Sequence, residues 1–120
     1  MDADEPEVLL GQDKGPNPVE YLLTALAGCL TSSLVYHAAA KGIHVRGVES
    51  RLEGDLDLRG FLGLSKEVPV GYQEIRVSFR IDADITAQEK QELIESAQKY
   101  SPVFNTLSSP TRVTVQLGDS

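Results

Sequence analysis

Tryptophan is absent from this chain, cysteine occurs once, and histidine occurs twice in 120 residues. A single cysteine excludes an internal disulfide framework and any all-cysteine metal site. Positive charge is also scarce. The 11 Lys+Arg stand against 18 Asp+Glu, which leaves a formal charge of −7. Phosphate recognition needs a basic footprint, so no nucleic-acid partner is expected. There is no HExxH, no CxxC and no glycine-rich phosphate loop, and His37 and His44 are too isolated to suggest a metal site. No serine sits on a strand-turn-helix elbow. No metal or cofactor is therefore expected. The opening residues, Met1-Asp2-Ala3-Asp4-Glu5, lack the basic and apolar regions of a secretory signal. Together with the lone thiol, which suits a reducing compartment, this predicts a cytoplasmic protein.

What is present is ordinary for one globular domain: 41% apolar and 24% charged residues, enough to build a core without covalent staples. Residues 1–16 read as an acidic arm containing Gly and Pro, with Val8-Leu9-Leu10 as a short strand candidate, and residues 17–120 read as the single domain. Gly15-Pro16-Asn17-Pro18 is a stop-and-start signal. Asn17 can cap a helix, and Pro18 suits the first helical position because its missing N–H would have no partner there. The helix is expected to run to about Lys41, with Gly42 just past its end. Residues 21–40 carry no formal charge and are long enough to cross a bilayer. Thr24, Thr31, Ser32, Ser33 and His37 interrupt that run, and six of its residues are Ala or Gly, so a protein-covered helix is expected and no membrane partner. Two apolar stripes lie side by side on it. One is Leu22, Leu26, Cys29, Ser33 and Tyr36; the other is Leu23, Ala27, Leu30, Leu34 and His37. Ala25, Ala27 and Gly28 would let another backbone approach closely, which would offset the roughly 1 kcal/mol cost of glycine in mid-helix.

Strand patterns follow. Val48, Leu52, Leu56 and Leu58 alternate with Glu49, Arg51, Glu53, Asp55 and Asp57; Ile43 and Val45 have the opposite parity, which predicts a bulge near Arg46-Gly47. Residues 59–71 read as a connector. Residues 74–81 alternate cleanly as a second strand. Thr86-Ala87-Gln88-Glu89 is a capping box that opens another helix, with Leu93, Ile94, Ala97 and Tyr100 as its apolar positions. Ser101-Pro102 ends it and starts a short third helix. Val113, Val115 and Leu117 alternate through a final strand over residues 112–117. The expected fold is α+β: an antiparallel sheet packed on one long central helix. One chain with so thin a sheet cannot cover a helix that is apolar on most sides, so a homodimer is expected.

The chemistry reduces to Cys29. A lone cysteine on an apolar helix stripe is compatible with a small buried hydrophobe. It becomes a nucleophile only where its surroundings expose and activate it.

The residues around it resemble a known family. Gly15-Pro16-Asn17-Pro18-Val19-Glu20 and Ala25-Leu26-Ala27-Gly28-Cys29 look like the first active-site helix of the OsmC/Ohr family, the osmotically inducible and organic hydroperoxide resistance proteins. Residues 54–64, Gly71-Tyr72-Gln73-Glu74-Ile75-Arg76-Val77, Tyr100-Ser101-Pro102-Val103 and the closing strand match in order, over about residues 15–117. The resemblance implies an intertwined homodimer with active sites at the subunit interface. It implies reduction of an organic hydroperoxide by a thiolate, whose sulfenic acid a second cysteine traps. Cys29 matches the peroxidatic cysteine, while Ser101 stands where the second thiol is expected. A hydroxyl cannot form a disulfide, so the resemblance implies an external thiol as resolving partner. Peroxidase members carry Glu directly after the Asn-Pro pair, where Val19 stands here; Glu20 follows one position later and is the carboxylate candidate. On a straight helix Glu20 lies roughly 13 Å along the axis from Cys29, and its other role is to complement the helix dipole. Those members also supply an Arg from an N-terminal β region, whereas the first Arg here is Arg46. Leu26, Phe61, Leu62 and Phe104 are the candidate pocket lining. The alternative reading is a non-catalytic dimer of the same fold, acting as a small-molecule-binding or structural protein.

Overall fold

The computed structural model describes residues 18–118. The 1–16 arm, the Val8-Leu9-Leu10 strand candidate and the Asn17 cap lie outside the described residues. Helix α1 spans Pro18–Ala40, 23 residues with Pro18 in its first turn. It ends at Gly42, whose φ of +73° is the left-handed conformation that favours glycine after a helix. The buried face is Leu26, Leu30, Leu34 and Ala38. This i, i+4 line takes members from both sequence stripes, because a single layer of neighbours covers a narrower arc than the apolar residues occupy.

Strand β1 (Val45–Asp55) pairs antiparallel with β2 (Glu74–Ala83), from Val45↔Ala83 to Asp55↔Glu74, with a register shift between Val45 and Gly47. That shift reconciles the two parities seen in the sequence. Ile75, Val77, Phe79, Ile81 and Ala83 face α1, while Arg76 and Arg80 point outward. Arg46 forks onto Asp82 and Asp84 at 2.9 Å each, and Arg76 grips Asp55 and Glu74. These exposed pairs decorate the register more than they stabilise it. A two-stranded sheet is marginal alone, so its packing on helices is what makes it persist.

The alternation expected through Leu58 stops at Asp55. Asp57 instead caps a one-turn helix, α2 (Leu58–Phe61), by accepting from the Arg59 amide. The Arg59 guanidinium and that amide bond hold its carboxyl down at about 2. A local side-chain acceptor here outcompeted the ladder, as aspartate does near turns.

Helix α3 (Ala87–Lys99) opens with the reciprocal Thr86–Glu89 capping box and buries Leu93 and Ala97 against α1. Tyr100, read as one of its apolar positions, is instead the C-cap residue and 58% exposed. Helix α4 (Pro102–Ser108) follows, capped by Ser101. The core is Leu34, Ala38, Ile81, Ala83, Leu93 and Ala97, which joins α1, β2 and α3.

The final strand is not formed. Residues 111–118 have no ladder partner, and Val113, Val115 and Leu117 are 78%, 93% and 98% exposed. Alternation creates a strand only where an adjacent edge takes up its backbone groups, and among the described residues this segment pairs with none.

Candidate functional site

Cys29 projects half-buried from the middle of α1. Its sulfur meets the junction between α3 and α4, where Ser101 is completely buried. The Ser101 hydroxyl donates to Cys29 Sγ at 3.0 Å and accepts from the Phe104 amide at 3.1 Å. Ser101 is an N-cap because Pro102 fixes the first turn and its own oxygen satisfies an otherwise unpaired donor. With that oxygen engaged, the hydroxyl proton is free to point at the sulfur. Asn105 holds the junction in place. Its amide donates to the carbonyls of Gln98, Lys99 and Ser101, at 3.1, 3.2 and 2.8 Å, and so staples the end of α3 to the start of α4.

Ser33 lies one turn beyond Cys29 on the same stripe. Its Oγ is enclosed and has no hydrogen-bond partner among the described residues. His37, a turn further, stacks on the Tyr100 ring with centroids 5.0 Å apart.

Beside this line opens a cleft of about 790 Å³ between α1, β2, α3 and α4. Leu26, Leu30, Val77, Phe79, Ile94 and Phe104 make its apolar lining, and Gln73, Gln91 and Gln98 are uncharged polar groups around it. Tyr72 also lines it, donates to the Val19 carbonyl at 2.9 Å, and so ties the β1–β2 connector to the start of α1. Gly54 permits this: a Cβ there would come within 2.5 Å of the Tyr72 ring. Burial, and secondarily the Glu20 carboxylate, push the Tyr72 phenol above its ordinary value.

The predicted residues therefore divide. Cys29 and Ser101 are brought together across the chain. Leu26 and Phe104 line the cleft; Cys29 itself does not, although Leu26 and Leu30 flank it on α1. Phe61 and Leu62 lie on α2 and just after it, 44% and 56% exposed and outside the cleft. Glu20 sits exposed in the first turn of α1, near Tyr72. Asn105, Tyr72 and the isolation of the Ser33 hydroxyl went unread in the sequence. Only Ser33 left a signal, a polar residue on an apolar stripe.

Comparison with known proteins bears on the family and the fold. The family described as OsmC-like protein matches residues 11–116. The crystal structure of an OsmC-like protein from Mycoplasma pneumoniae superposes with a TM-score of 0.71 at 26% identity, covering 80% of this chain and 64% of that one. An OsmC-like protein of unknown function from Vibrio cholerae gives 0.62 at 15% identity, over 75% and 57%. An OsmC-like hydroperoxide resistance protein from a Jannaschia species gives 0.64 at 17% identity, over 91% and 74%. The last two show shared fold alone. The chain thus spans less than two thirds of the first two structures' length. No curated protein matches it. The matched length, the α+β order and the convergence of both motif regions on one place establish that this chain belongs to the OsmC-like family.

Proposed function

We propose that two copies of this chain form a cytoplasmic dimer in which Cys29 reduces organic hydroperoxides, as part of oxidative stress defence, with an external thiol as the resolving partner. The observation that carries the reading is the 3.0 Å contact between Cys29 Sγ and Ser101 Oγ, 72 residues apart in sequence. It supports the reading because the resemblance matches these two residues to the family's nucleophile and second thiol. The Cys29 sulfur attacks the distal peroxide oxygen, the O–O bond breaks, and the alcohol leaves with the thiol's proton. One external thiol then displaces water from the sulfenic acid. A second external thiol releases free Cys29 and leaves the external pair as a disulfide. The apolar cleft beside α1 supports a substrate with an apolar body.

The dimer is supported by what α1 leaves uncovered. It is apolar enough to cross a membrane by length and composition, yet only 22% of its most apolar window is buried in one chain. Among the described residues, Gly28 has no atom within 4 Å of where a Cβ would stand, so none of them accounts for a glycine there. A second copy on that face does. Sedimentation at micromolar concentration should return the mass of a dimer; a monomer would remove the support.

The non-catalytic reading has its own observation: the cleft bypasses Cys29, and the guanidinium groups of Arg46, Arg59 and Arg76 are held by carboxylates. Consumption of cumene hydroperoxide with dithiothreitol as donor separates the two. Cys29→Ser should fall to the rate of donor and peroxide alone. Equal rates for variant and wild type would leave a binding or structural protein.

A further inference from the structure

We propose that the cleft beside α1 is a binding site for an uncharged amphiphile: an alkyl or aryl body with a neutral head such as an alcohol, an ester or a hydroperoxide. Analogues that carry a carboxylate are discriminated against. The inference deepens the peroxidase reading by naming its substrate class; it rests on that reading for the occupant's role, though not for its binding. Size and lining come first. A volume of about 790 Å³ is that of a small-molecule site. Leu26 and Leu30 of α1 and Val77 and Phe79 of β2 supply apolar wall. The polar lining is nearly all neutral, with Gln73, Gln91 and Gln98 joined by Ser78 and Ser108. A primary amide both donates and accepts, so it serves a hydroxyl or an ester equally well.

Charge then sets the class. Among the described residues no Lys, Arg or His lines the cleft, and the one carboxylate in its lining, Glu74, is engaged by Arg76. Arg76 is shared with Asp55 at 2.9 Å, so its charge is already matched. The Gln91 amide lies 3.5 Å from the Glu95 carboxylate, which adds negative charge near the rim of a chain that carries −7 overall. An anion entering here gives up water and meets no cation in return. A cation finds Glu74 already paired. A neutral amphiphile takes its apolar body out of water and keeps its head hydrogen-bonded to the amides. Among hydroperoxides, such a cleft selects those without an ionised group.

The test uses the reduced full chain with no peroxide present, so that it reads binding alone. N-phenyl-1-naphthylamine, an uncharged probe that fluoresces in apolar surroundings, reports occupancy. Octan-1-ol, octanoate and octylammonium compete for it at neutral pH. Octan-1-ol should displace the probe at a concentration about tenfold or more below either ion. Gln98→Lys, in the last turn of α3 where a cation also suits the helix end, should strengthen octanoate about tenfold, the value of one charge-assisted hydrogen bond. Octan-1-ol should be unchanged by it. Gln73→Lys, just before β2, should act in the same direction, and both should keep the wild-type melting temperature. Gln88→Lys, on α3 outside the cleft, should change neither competitor. Octanoate competing as well as octan-1-ol in the wild type would overturn the proposal. So would octanoate binding that neither lysine variant alters, or a probe that finds no site because a second copy fills the cleft. Each of these leaves the peroxidase reading standing, because that reading turns on Cys29→Ser and cumene hydroperoxide. Equal turnover there removes the occupant's role as substrate and leaves the binding site.

Discussion

Ser101→Cys is expected to form a disulfide with Cys29 as soon as the variant meets one equivalent of hydroperoxide. The present oxygen stands 3.0 Å from the sulfur, so a thiol in its place needs about 1 Å of closure to reach the ~2.05 Å bond. The longer C–S bond supplies part of that, and rotation about χ1 supplies the rest. The Cys29 sulfenic acid would condense with the new thiol and release water. Thiol titration should fall from two groups to none, the intact mass should drop by two hydrogens, and with external thiol scarce the variant should rest as the disulfide rather than as the sulfenic acid. The cross-link would close a loop of 72 residues. In the chain-entropy account that stabilises the oxidised form by about 4 kcal/mol over the reduced one. Two free thiols persisting after oxidation would mean that the geometry at the α3–α4 junction differs from that described.

Leu34→Ala is expected to cost about 2–5 kcal/mol, a large share of the ~5–15 kcal/mol that holds a domain of this size together. Leu34 has no exposed surface, and it packs into the cluster of Ala38, Ile81, Ala83, Leu93 and Ala97. Three of its five neighbours in that cluster are alanines, whose side chains are too short to collapse into the space left behind. The denaturant midpoint should fall at constant m-value, with protein concentration held fixed because a dimer's stability depends on it. Gln88→Ala, exposed in the first turn of α3, should move it by less than ~0.5 kcal/mol. A Leu34→Ala loss no larger than that of Gln88→Ala would show that α1 does not organise the core.

Much of the molecule was legible because its signals are local. The Thr86–Glu89 capping box, the Ser101-Pro102 helix start, the clean alternation of residues 74–81 and the parity break near Arg46-Gly47 each depend on neighbours within a few positions. Each has its counterpart in the structure. The misreadings arose where a local pattern met a non-local requirement. Asp57 continued an alternation but found a nearer hydrogen bond in the Arg59 amide. Residues 112–117 alternate but pair with no strand among the described residues. Phe61 and Leu62, expected at a pocket between subunits, lie at the α2 turn and outside the cleft of the single chain.

From the sequence by itself came the element types, the family resemblance and the identity of the one sulfur, because periodicity, caps and motif order are properties of neighbouring residues. Only the tertiary structure decided which arc of α1 is buried, and that Ser101 faces Cys29 from 72 positions away. It alone left the Ser33 hydroxyl enclosed without a partner among the described residues. Those facts depend on how one helix rotates against another, and that rotation is set by the summed packing of α1, β2, α3 and α4 rather than by any segment of the chain.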